Sequence, residues 1–157
     1  MISNTPPTNF RYHSSNIAVS AAPNVHEMSF VTSQGYRKFI CVGSFPAYVD
    51  RDSARASGIS LTHFPVPGDL GLHKGETEDV LTSVLDFICK HHTESKLFLF
   101  DDTGNAQASV VCALLRRIEG WCKYSALEEF LKSDLANNSR ADCIKFICEF
   151  GLERWNA

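Results

Sequence analysis

Apolar positions along this chain switch between short unbroken runs and stretches that recur every three to four residues. Ile17-Ala-Val-Ser20 and Phe39-Ile-Cys-Val42 read as strands, the second closed by Gly43 and Pro46. Ile59 to Phe64 alternates apolar and polar residues, which predicts another strand, stopped by Pro65 and Pro67. Leu97-Phe-Leu-Phe100 is apolar at every position, as a strand buried on both faces must be. Helical spacing fills the intervals. Pro23-Asn24 opens an amphipathic segment with Met28, Phe30 and Val31; Tyr48 to Ser57 has helical propensity, with Gly58 where a C-cap belongs. From Glu76 onward Val80, Leu81, Val84, Leu85 and Ile88 mark one helical face, with Glu76, Glu78 and Asp79 in the first turn, where the helix dipole favours acids. Ala106 to Glu119 begins apolar nearly all round, predicting a central buried helix stopped by Gly120. Ser125 to Lys132 and Ser139 to Phe150 close the chain as helices, the latter with a Cys143, Ile144, Ile147, Cys148 stripe between Ser139 as N-cap and Gly151 as stop.

Strands alternating with helices imply a single α/β domain with a largely parallel central sheet of four to five strands, flanked by helices. Residues 1–16 are polar and proline-bearing and predict an irregular N-terminal arm, anchored by Phe10 and Tyr12, ahead of a domain over 17–157. A length of 157 residues suits that organisation, and an apolar fraction of 44% supports a core. The net charge of −3 gives no reason to expect nucleic acid or an acidic membrane as partner. No run approaches the roughly 20 apolar residues of a membrane span. Met1 to Pro7 lacks the basic start and apolar stretch of a secretory signal, so a cytoplasmic location is expected. The six cysteines form no C-x-x-C pair and most fall in apolar segments, predicting buried, reduced thiols. Cys89, His91 and His92 lie on different helical faces, so no zinc site is expected there.

The segment between Phe100 and Val110 carries the candidate chemistry. A strand, a loop bearing Gly104 and a buried helix together aim backbone N–H groups at an anion. The loop residues are Asp101, Asp102, Thr103, Gly104, Asn105, Ala106 and Gln107, which are the candidate ligand-binding positions. They include neither a cysteine nor a cation.

Several further stretches occur in a familiar order. Pro6-Pro-Thr-Asn-Phe10, Ile17 to Pro23, Phe39 to Val42, Ala56-Ser-Gly-Ile59, Cys112-Ala-Leu-Leu-Arg-Arg-Ile-Glu-Gly-Trp121 and Ser125-Ala-Leu-Glu-Glu-Phe130 resemble the plant and fungal atypical dual-specificity phosphatases, within the tyrosine phosphatase superfamily. The resemblance covers nearly the whole chain and implies a dual-specificity-phosphatase-like fold. In that family the loop reads His-Cys-x5-Arg-Ser/Thr: the thiolate attacks phosphorus while the amides and arginine hold phosphoryl oxygens. Its substrates include phosphotyrosine peptides and inositol pyrophosphates. Here Phe100 stands at the histidine position, Asp101 at the cysteine, Gln107 at the arginine, and Ala108 and Ser109 at the positions that follow. Val19 also stands where the family carries an early arginine.

Those departures predict an inert loop. An attacking aspartate would form an acyl phosphate, which needs a metal to offset the gathered charge, and the guanidinium fork is gone. Two unit charges about 4 Å apart repel by roughly 4 kcal/mol at an effective dielectric near 20. Loop amides and the helix dipole return about 1 to 2 kcal/mol, so repulsion wins. Asp101 is instead expected to fill the anion position itself, accepting loop N–H groups and capping the following helix.

A metal-assisted aspartyl phosphatase is the competing chemistry, acting weakly on phosphotyrosine or inositol (pyro)phosphates through Asp101. Asp101-Asp102-Thr103 does not match the Asp-x-Asp-x-Thr such enzymes need. Asp69, in Pro67-Gly-Asp69, falls where the family carries its acid loop, and without a nucleophile it is expected to serve the turn. His63 is expected at the core or rim and His73 in solvent. Thr103 and Ser109 have no histidine to activate them, and Arg116 and Arg117 sit at the far end of their helix as dipole complements or surface charges. The expectation is therefore a pseudophosphatase with no catalytic residue, metal or cofactor. It would act as a binding or regulatory subunit for a protein partner, with an active phosphatase paralogue as one candidate.

Overall fold

The computed structural model describes residues 5–104, 106–132 and 140–155. Among these residues five strands form one sheet in the order β1-β2-β5-β3-β4: β1 Arg11–Ser14, β2 Ile17–Ala21, β3 Lys38–Val42, β4 Ser60–Phe64 and β5 Leu97–Asp101. All neighbours run parallel except β1, which returns antiparallel along β2. The helices are α1 Val25–Ser33, α2 Arg51–Ala56, α3 Lys74–His91, α4 Gln107–Ile118, α5 Lys123–Leu131 and α6 Arg140–Glu149, followed by a 3-10 turn at Glu153–Trp155. The α/β domain with a mostly parallel sheet is thus as the pattern predicts.

β5 sits at the centre with β2 and β3 on either side, which explains its unbroken apolar run. Leu97 and Leu99 join a core with Leu81, Leu85, Val111 and Leu114 from α3 and α4. Phe98 and Phe100 point the other way, into a second core with Phe39, Tyr36 and Val31. The C-terminal end of β5 feeds directly into the loop of interest, at the sheet edge where open α/β folds place their sites.

Four boundaries differ from expectation. Arg11–Ser14 is a strand within the arm expected to be irregular; its polar residues suit an edge strand and hide its register. The helix expected from Tyr48 begins only at Arg51, because Asp50 accepts the Asp52 and Ser53 N–H groups and fixes the N-terminus there. The α3 helix starts two residues early, at Lys74, and α5 runs Lys123–Leu131 rather than from Ser125 to Lys132. Ser139, expected as an N-cap, lies outside the described residues.

All six cysteines are free thiols. Cys41, Cys112 and Cys143 are buried, and burial pushes their pKa values up to about 12, about 12 and about 11. Cys122 departs from the expectation of burial. It is exposed at the start of α5, and a hydrogen bond with the Ser125 hydroxyl holds its thiol below the usual value. No helix among the described residues is long and apolar enough to cross a membrane.

Candidate functional site

Asp101, the last residue of β5, is 1% exposed and points inward. Its Oδ2 accepts the Ala108 N–H at 2.9 Å and the Ala106 N–H at 3.1 Å, and its Oδ1 accepts the Gly104 N–H. Ala108 lies in the first turn of α4, whose preceding residue, Ala106, has no side chain able to cap it. The carboxylate five residues upstream supplies that cap through space and satisfies the helix end. Burial pushes the Asp101 carboxyl up from its ordinary value, against the opposing pull of the Ala108, Gly104, Ala106 and Thr103 N–H groups.

The loop can turn this tightly because of Gly104. Its φ is +80°, and a Cβ there would meet the Ala21 nitrogen at 2.5 Å and the Ser20 carbonyl carbon at 2.6 Å. Only glycine lets the loop press against the end of β2. Asp102 and Thr103 are exposed at the mouth. An open bowl of about 420 Å³ lies over them, rimmed by Thr8, Asn9, Asn24, Glu27 and Tyr48. Asn105 lies outside the described residues.

At the arginine position Gln107 reaches sideways. Its Nε2 lies 3.5 Å from the Val66 carbonyl oxygen and 3.1 Å from where a Cβ on Gly43 would sit. The amide therefore packs into the cleft between the β3–α2 loop and the β4–α3 loop. It carries no charge. At the histidine position Phe100 is fully buried, stacked on Phe98 with ring centroids 5.7 Å apart, and gives the loop no hydrogen bond.

Asp69 is exposed, and its Oδ1 accepts the Gly71 N–H at 3.1 Å, the turn role expected of it. His63 bonds the Gly43 carbonyl oxygen through Nε2 at 2.5 Å and is half-buried; His73 is exposed. Arg116 and Arg117 do more than complement a dipole. Arg116 pairs with Glu129 at 3.0 Å and Glu119 at 3.1 Å. Arg117 donates to the Ile147 and Phe150 carbonyl oxygens, tying α4 to the C-terminal end of α6. Among the described residues no three His, Cys, Asp or Glu side chains gather as a metal site.

The N-terminal segment holds the loop from behind, which the sequence did not signal. Asn9 Nδ2 donates to the Thr103 carbonyl oxygen at 2.8 Å. Arg11 donates to the Gly104 carbonyl oxygen at 2.9 Å and to the Ser109 hydroxyl at 3.3 Å. These contacts span more than ninety positions of sequence, so no local pattern announces them.

The sequence matches the family model described as tyrosine phosphatase family over residues 4–155. The fold is similar to that of the core catalytic domain of the PP-IP phosphatase Siw14 from S. cerevisiae, solved with citrate. The TM-score is 0.80 at 16% identity, covering 95% of this chain and 89% of that one. It is also similar to P. aeruginosa TpbA, with a TM-score of 0.76 at 17% identity, covering 94% and 88%. At such identities the likeness speaks to the fold. No curated protein matches the sequence.

Proposed function

This chain belongs to the tyrosine phosphatase family, and on that premise we propose that it is a member with a degenerate loop, a pseudophosphatase that acts by binding a protein partner. Among its resemblances the plant and fungal atypical dual-specificity branch is the one the sequence motifs favour. The observation that carries this reading is the Asp101 carboxylate, turned inward onto the Gly104, Ala106 and Ala108 N–H groups.

Those are the donors a phosphoryl group would need. A carboxylate already bonded to them competes with a substrate for the same amides. The position that would hold a guanidinium fork carries the neutral Gln107, packed over Gly43. Burial of Asp101 makes a further negative charge beside it unfavourable. A protein partner is the role we assign to such a site, and an active phosphatase paralogue is the first to test. The location we propose is cytoplasmic.

The test is hydrolysis of p-nitrophenyl phosphate and of inositol pyrophosphate by the purified chain, with and without Mg²⁺. The expected result is turnover no faster than in buffer. Turnover abolished by Asp101→Ala would overturn the proposal and favour the metal-assisted aspartyl reading. Co-purification with an active paralogue tests the binding role, and a chain that stays alone in that experiment counts against it.

A further inference from the structure

A second cavity, of about 400 Å³, lies behind the loop, between β1, α4 and α5. That volume falls within the roughly 300–1,000 Å³ of small-molecule sites. Among the described residues of the loop, from Asp101 to Gly104 and at Ala106 and Gln107, none lines it. Its apolar wall includes Val19, Ala113 and Phe130, from β2, α4 and α5. Arg11 and Lys132 also line it.

Among the described residues the charges around this cavity do not cancel. Arg116 is held by Glu119 and Glu129, and His13 bonds Glu119 at 2.8 Å. Burial holds His13 below its ordinary pKa, so it adds little positive charge. Arg11 and Lys132 have no ion pair among the described residues. Arg11 gives hydrogen bonds to three neutral oxygens, on Asn9, Gly104 and Ser109. A guanidinium has five N–H groups, so donors remain for an anion.

We propose that this cavity binds a small organic anion, an apolar body carrying one carboxylate or phosphate group. The acid group meets Arg11 and Lys132, and the body lies against Val19, Ala113 and Phe130. Arg11 also bonds the Gly104 carbonyl oxygen, so an occupant pulls on the back of the loop.

The experiment is an amide NMR titration of the whole chain with benzoate, phenyl phosphate and, as an uncharged control, benzyl alcohol. Saturable shifts at Arg11, Ala113 and Lys132 with either anion are expected, and which anion binds identifies the acid group. Lys132→Gln and the neutral alcohol should each bind about tenfold more weakly, as loss of a charge-assisted bond implies. Lys132 is exposed, so that variant keeps the fold even if Arg11→Gln, which frees the Gly104 carbonyl, does not. Absence of saturation with both anions, equal binding of the alcohol, or shifts confined to Gly43 and Gln107 would overturn the proposal.

Discussion

Changing one carboxylate oxygen of Asp101 to an amide nitrogen turns an acceptor into a donor inside a ring of donors. The Gly104, Ala106 and Ala108 N–H groups all point at that side chain, and the site is buried, so no water readily replaces the lost acceptor. Asp101→Asn is expected to cost about 1–3 kcal/mol, the penalty of an unsatisfied buried donor. Urea unfolding measures it, and an unchanged midpoint would mean the oxygens do not hold the loop. The same carboxyl has a pH signature. Burial raises its native value above the ordinary 3.8, so ionising it is harder in the fold than in the unfolded chain. Its contribution to stability is complete below 3.8 and is lost as pH rises through the native midpoint. A carbon-13 titration of the Asp101 carboxyl should therefore show a midpoint above 3.8. In Asp101→Asn the fall in stability across that interval should be shallower.

At the scale of elements, the β5–loop–α4 unit depends on a single residue without a side chain. Gly104 and Gly58 have nearly equal φ, +80° and +78°. A Cβ on Gly58 meets nothing within 4 Å, whereas on Gly104 it would strike the backbone of β2 at 2.5 Å. Gly58→Ala should then cost only the left-handed strain of about 1–2 kcal/mol. Gly104→Ala should cost clearly more, because the loop must also move off β2. Equal losses in thermal unfolding would show that the contact with β2 is dispensable. This unit was legible in the sequence because its signals are contiguous: an apolar run, a glycine, a buried helix. Asp101 as the helix cap was legible for the same reason, since donor and acceptor lie within eight residues. Strand β1 was not legible. Arg11-Tyr12-His13-Ser14 has the composition of a loop, and its partners in β2 alone make it a strand. Arg11 and His13 were missed with it, their hydrogen bonds to Gly104 and Glu119 reaching across 93 and 106 positions.

Across the whole molecule, the loop is shaped by residues from both sides of the sheet, so restoring two of its positions should not restore a phosphatase. Asp101→Cys with Gln107→Arg would return the nucleophile and the cation to their family positions. The cation must then fit where Gln107 now lies against Gly43, next to the β4–α3 loop at Val66. Beneath the new thiol, Phe100 stays in the Phe39–Phe98 aromatic layer and supplies no hydrogen bond to favour a thiolate. Val19 is buried in the α4-side core, with no charge to offer. The double variant is therefore expected to hydrolyse p-nitrophenyl phosphate at the rate of the unmodified chain. Adding Phe100→His and Ala108→Thr should be needed before a burst of p-nitrophenol marks a phosphocysteine. That burst grows only if the surrounding groups, rather than the cysteine alone, set the thiol pKa. A full burst from the double variant would place the lost chemistry in Asp101 and Gln107 alone.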